Sequence, residues 1–172
     1  LMQLVKLLTR TKINTLPHTV NIPTATYSPW KTDSDFQLVL EQIKNHTLVD
    51  IYRLFENWQI VGQLKTIPGD IIEIGVWRGG SGCSMAYRAN MEKLDATVYL
   101  CDTFHGVVKA GTNDNKYLGG EFSDTNELIV QELADRLELD NITILKGIFP
   151  EDTGHQLADN IFRLCHVDVD TY

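Results

Sequence analysis

Apolar positions recur along this chain with two periods, and the alternation between them defines its organisation. From Asp33 or Ser34 onward, Phe36, Leu38, Val39 and Ile43 fall at helical spacing. A second helical run extends from about Leu48 to Lys65. It brings Ile51, Leu54, Phe55, Trp58, Val61 and Leu64 onto or near one face, and Pro68-Gly69 ends it. The aromatic stripe of that face reads as core. Beyond it, short apolar runs at 70–74, 97–101, 142–146 and 163–169 read as strands. The segments 79–93 and about 124–139 read as helices, the latter capped by Ser123 or Asp124, and 153–160 reads as a short one. Residues 102–122 form a polar, glycine-containing loop. Strands alternating with helices of this length predict βαβ units and a parallel sheet, hence an α/β fold. Pro17, Pro23 and Pro29 break residues 1–32 into an arm that lies over the domain or a neighbouring subunit, with the domain itself at 33–172.

The chain has 172 residues, 43% hydrophobic and 22% charged, a globular composition. Fifteen basic against 23 acidic residues leave a net charge of −8. That balance disfavours nucleic acid and anionic lipid as partners and leaves room for a carboxylate metal site. Cys83, Cys101 and Cys165 lie in apolar surroundings without zinc-like spacing, so they read as small buried hydrophobes of a reducing, cytoplasmic protein. No apolar run reaches the ~18 residues of a membrane span. The first eight residues lack a basic leader region and a cleavage site, and a start at Leu1 points to a missing beginning.

Three segments carry candidate chemistry. In Asp70-Ile-Ile-Glu-Ile-Gly-Val-Trp-Arg-Gly-Gly-Ser81 a strand ends in Glu73-Ile74-Gly75, and a glycine turn leads into a helix. Such a turn can approach a ligand closely and offers helix N-terminal amides, or it serves tight helix–strand packing. The spacing Gly75-x-x-x-Gly79-Gly80 is not the dinucleotide fingerprint. Glu73, an acid in an apolar strand, must be paired or hydrogen-bonded; it could orient the loop amides or meet a cationic ligand. Asp102 ends the second strand, where a carboxylate grips a ribose diol or caps the following turn. In His166-Val-Asp168-Val-Asp170, two carboxylates share one face at a strand end, as hard oxygen ligands or as loop caps. His105, His155 and His166 have no partners at metal spacing and read as surface or turn residues.

Together these segments, with Asp102-Thr-Phe-His-Gly106, Glu121-Phe-Ser-Asp-Thr125, Gly147-Ile-Phe-Pro150 and Val167-Asp-Val-Asp-Thr-Tyr172, resemble the macrocin O-methyltransferase family of class I S-adenosylmethionine-dependent methyltransferases over about residues 48–172. The resemblance implies a Rossmann-like fold, a parallel sheet with flanking helices, here ending after the fourth strand. It implies that Glu73, Gly75, Val76 and the Gly79-Gly80-Ser81 turn cradle the methionine part of the cofactor. It further implies that Asp102 and Thr103 meet the ribose, that Gly147 and Phe149 border the adenine, and that the loop at Ser123 and Asp124 closes over the nucleoside. Asp168 corresponds to a catalytic metal ligand, with Asp170 beside it, for Mg²⁺ or another divalent cation. His105 stands where relatives more often carry an acid.

The reaction so implied is methyl transfer to a hydroxyl of a sugar or other natural product, by an enzyme that could form homo-oligomers. The family continues through further strands bearing its remaining metal ligands. The chain therefore reads as a piece of a longer enzyme whose fourth strand is an open edge. Two other classes stay open at this point: a nicotinamide-dependent oxidoreductase on the same kind of sheet, and a non-catalytic domain that kept the cofactor pocket.

Overall fold

The computed structural model describes residues 26–108 and 117–169. The chain divides into two compact units, Leu1–Thr32 and Asp33–Tyr172. In the first, Pro29–Lys31 forms one 3₁₀ turn, and the rings of Tyr27 and Trp30 meet edge to face.

The second unit begins with two helices that start on aspartate caps. Asp33 accepts from the Phe36 amide at the head of α1 (Ser34–Ile43), satisfying a donor that the helix cannot. Asp50 does the same for Tyr52 and Arg53 at the head of α2 (Ile51–Gln63). Phe36, Val39 and Ile43 of α1 are buried, as are Leu54, Phe55, Trp58 and Val61 of α2. The Phe36 ring lies edge-on to both Phe55 and Trp58, and Trp58 stacks on Tyr87 of the next helix. The helical periods of the sequence are thus the buried faces, except that Leu38, expected with Phe36 and Val39, is exposed.

The strands β1 (Asp70–Ile74), β2 (Val98–Asp102), β3 (Ile142–Lys146) and β4 (Phe162–Val167) form one parallel sheet in the order β3-β2-β1-β4. Helix α3 (Gly80–Met91) connects β1 to β2, and α4 (Glu127–Arg136) connects β2 to β3. Ile74 pairs with Cys101 on one side and with Val167 on the other. The chain steps outward from β1 to β3 and then returns to the far side of β1 for β4. The strand order therefore reverses between β1 and β4, and in open α/β sheets ligands bind outside the carboxyl ends of the strands at such a reversal.

Several expectations shift. Helix α4 begins at Glu127 on an Asn126 cap, because Asp124 and Thr125 are drawn to Trp77 instead. The segment expected as a helix at 153–160 is one 3₁₀ turn, Gly154–Leu157, in which only Leu157 is buried. Cys83 and Cys101 are buried as expected, but Cys165 is exposed, since β4 is the outer strand of the described sheet. Among the described residues no helix is long and apolar enough to cross a membrane.

Candidate functional site

A cleft of about 530 Å³ opens at the carboxyl ends of the strands, within the range of about 300–1,000 Å³ typical of small-molecule sites. Its polar lining includes Ser81, Asp102, Thr103, Asp168 and Arg53; Val107, Tyr117, Phe122, Ile148 and Phe149 supply apolar surface.

Gly75 marks the end of β1. Its φ of 87° is in the left-handed region, and a Cβ there would strike the backbone carbonyl of Asp168, so glycine is required on both counts. The turn that follows is held from across the sheet. Asp102 Oδ2 accepts from the amides of Val76 (2.7 Å) and Trp77 (2.8 Å), while Oδ1 accepts from Phe104 (2.7 Å). Asp102 thus orients the loop amides, the role that sequence reasoning offered to Glu73, and it also caps its own turn. A carboxylate has roughly four lone-pair sites, so three amides leave this cleft-lining residue one further acceptor position.

Glu73 is fully buried. Ser81 Oγ donates to its Oε1 at 2.5 Å, and His166 Nδ1 lies 2.9 Å from the same oxygen; Oε2 has no partner among the described residues. Burial pushes the Glu73 carboxyl up, against the pull of His166 and Ser81. The hydrogen bond to Glu73 raises His166 above its ordinary range, more than burial lowers it. His166 is therefore neither a surface nor a turn residue: it sits beside Glu73 in strand register, with 18% of its side chain exposed. His105 is exposed, its ring nitrogen against the Thr103 carbonyl.

Of the residues expected to hold a cofactor, Gly75, Val76, Ser81, Asp102, Thr103, Gly147 and Phe149 come together on the cleft wall. Gly79 and Gly80 do not line it. Gly79 packs against Val130, and Gly80 donates to the His46 carbonyl at 2.8 Å. Ser123 and Asp124 also stand outside the lining; Asp124 accepts from the Trp77 indole at 2.9 Å. Arg53 and Thr47, together with Tyr117 and Phe122, enter the cleft without having been singled out. Nothing in their local sequence distinguishes them from helix-surface and loop residues.

Asp168 lies just beyond β4, its amide bonded to the Ile74 carbonyl at 2.9 Å and its Oδ1 3.8 Å from Arg53 Nη1. Asp170 lies outside the described residues. Among the described residues no three His, Cys, Asp or Glu side chains are grouped to hold a metal ion. Asp168 alone does not make a metal site.

The family model described as macrocin-O-methyltransferase (TylF) matches residues 43–172. A demethyldecarbamoylnovobiocin O-methyltransferase of Streptomyces niveus is 39% identical over 70 residues, covering 38% of this chain and 26% of that protein. A mycinamicin III 3''-O-methyltransferase of Micromonospora griseorubida is 31% identical over 147 residues, 74% of this chain and 55% of the relative. The solved structure of the O-methyltransferase NovP has a TM-score of 0.59 at 25% identity, covering 72% of this chain and 55% of that one. The calicheamicin methyltransferase CalS11 shares the fold, with a TM-score of 0.62 at 18% identity, over 90% of this chain and 75% of that one. The chain spans about half or less of the length of these two curated relatives.

Proposed function

The chain belongs to the macrocin O-methyltransferase family, and from that premise we propose that its cleft binds S-adenosylmethionine and serves an O-methyltransferase acting on a sugar or natural-product hydroxyl. The observation that carries the reading is Asp102. It ends β2 in the lining of a cleft at the strand-order reversal and retains one acceptor position beyond its three amide donors. The donor set fits a nucleoside: Asp102 and Thr103 would meet the ribose hydroxyls, while Ile148 and Phe149 offer apolar surface to the base. When bound, S-adenosylmethionine supplies a methyl group on a sulfonium.

The protein's part is alignment and proton handling. Gly75, with no side chain, lets a ligand pass close to the end of β1. Asp168 presents its carboxylate at the cleft wall to orient the acceptor hydroxyl or take its proton. A divalent cation belongs to the family reading, but the described residues do not assemble its site. The small-molecule acceptor follows from the relatives, which are O-methyltransferases of natural-product compounds. The free cysteines suit a reducing, cytoplasmic setting.

Calorimetric titration with S-adenosylhomocysteine and, separately, with NAD tests the proposal. Binding of the first and not the second is expected. Binding of NAD alone overturns the reading in favour of an oxidoreductase.

A further inference from the structure

We propose that Arg53 anchors the carboxylate of the cofactor's amino-acid end. The inference rests on the S-adenosylmethionine reading above and assigns one residue to one end of that ligand.

A glycine-rich strand–helix turn ordinarily holds an anion with its own amides. Here four of those amides are already engaged. Val76 and Trp77 donate to Asp102, Gly79 donates to the Val76 carbonyl at 2.9 Å, and Gly80 donates to the His46 carbonyl at 2.8 Å. A carboxylate arriving over this turn therefore finds fewer of its amides open, and a cationic side chain at the cleft wall supplements them. Among the described residues, Arg53 is the only Lys, Arg or His lining the cleft.

Its guanidinium is held ready. Nε donates to Asp50 Oδ2 at 2.7 Å, and Asp50 is itself fixed as the α2 cap through Oδ1. The terminal nitrogens make no hydrogen bond among the described residues, and Nη1 stays 3.8 Å from Asp168 Oδ1, beyond hydrogen-bond distance. A planar fork with free N–H groups suits a carboxylate.

The topology places this fork at the correct end. Asp102 belongs to β2 and Gly147 follows β3, on one side of β1; Arg53 faces Asp168, which follows β4 on the other side. A nucleoside held on the β2 and β3 side sends its amino-acid tail across Gly75 toward Arg53. Asp50 and Asp168 beside Arg53 would repel a bare anion. An α-amino acid brings an ammonium together with its carboxylate and meets opposite charge on both.

The test is calorimetric titration of the full chain with two ligands that share the nucleoside and the sulfur. S-adenosylhomocysteine carries the amino-acid end; 5′-methylthioadenosine lacks it. Arg53→Gln is expected to weaken S-adenosylhomocysteine roughly 10- to 100-fold, the range for losing a charge-assisted hydrogen-bonded pair, and to leave methylthioadenosine within about twofold. Arg53→Lys, which keeps the charge and loses the fork, should recover part of the loss. Equal weakening of both ligands, or none of either, overturns the assignment while leaving the cofactor reading intact. A wild-type chain that binds neither ligand defeats the cofactor reading, and this assignment with it.

Discussion

His166 Nδ1 stands 2.9 Å from Glu73 Oε1, joining β4 to the fully buried acid at the centre of the sheet. Removing the histidine strands a carboxylate that only Ser81 still serves. His166→Ala is therefore expected to destabilise the fold by about 1–3 kcal/mol, the range for leaving a buried polar group without its partner. The pH dependence has a definite sign. Glu73 holds His166 above its ordinary range, so the folded chain binds this proton more tightly than the unfolded one. Its stabilisation is complete below about pH 6.5, the unperturbed histidine value, and is lost as pH rises through the folded-state pKa. Melting temperatures of wild type should fall from pH 6 to pH 9, and those of His166→Gln should fall less. Parallel curves would show that the pair does not govern this range.

Asp102 serves two structures at once, and its removal should register in both. Asp102→Ala leaves the Val76, Trp77 and Phe104 amides without their acceptor. It is expected to weaken S-adenosylhomocysteine by roughly 1.5–3 kcal/mol, the range for lost charge-assisted hydrogen bonds. Hydrogen exchange at Val76 and Trp77 should accelerate in the absence of ligand. Unchanged affinity would refute a ribose role, and unchanged exchange would refute the hold on the turn.

What could be read beforehand follows from how local each signal is. The span of β1 was legible because an apolar run ends at Pro68-Gly69 on one side and Gly75 on the other, and the strand observed is Asp70–Ile74. The position of Asp102 was legible as an acid at a strand end. That it would hold the neighbouring turn was not, because the Val76 and Trp77 amides lie 26 and 25 residues away in sequence. His166 was read as peripheral because its partner is 93 residues distant and only the β1–β4 register makes them neighbours. The start of α4 was misplaced for the same reason: Asp124 looks like a cap until Trp77, 47 residues earlier, competes for it. Arg53 carries no mark in sequence, since an arginine in the first turn of a helix ordinarily faces water.

Gly75 couples the turn to the site chemistry. Alanine there must adopt a left-handed conformation costing roughly 1–2 kcal/mol, and its Cβ would also press on the Asp168 carbonyl. Gly75→Ala is expected to cost about 2–4 kcal/mol in urea unfolding, a value typical of strain at a special backbone position. The expected relief is displacement of residue 168 away from Ile74, with loss of their 2.9 Å backbone hydrogen bond. An unfolding midpoint equal to that of wild type would show that the end of β1 relaxes without cost.

The segment before α4 is tied to the β1 turn through one residue, Trp77. The Trp77 indole donates to Asp124 Oδ1 at 2.9 Å, and Thr125 Oγ1 donates to the Trp77 carbonyl. Trp77 itself sits in the left-handed region with φ 49°, uncommon for a bulky residue, and its amide is held by Asp102. The same stretch of chain supplies Tyr117 and Phe122 to the cleft wall. Asp124→Ala would remove one of the two ties to Trp77 and loosen this stretch without touching the cleft lining. The lost hydrogen bond is exposed, so the fold should lose no more than about 1 kcal/mol. Ligand retention should suffer more: the dissociation rate of S-adenosylhomocysteine, followed by tryptophan fluorescence in stopped flow, is expected to rise several-fold while the association rate changes little, as for most interface changes. Trp77→Phe, which keeps a ring and deletes the donor, should raise the rate similarly when dissociation is followed with a labelled ligand. A dissociation rate that stays at the wild-type value in both variants would show that this tie supports the turn alone and plays no part in holding the cofactor.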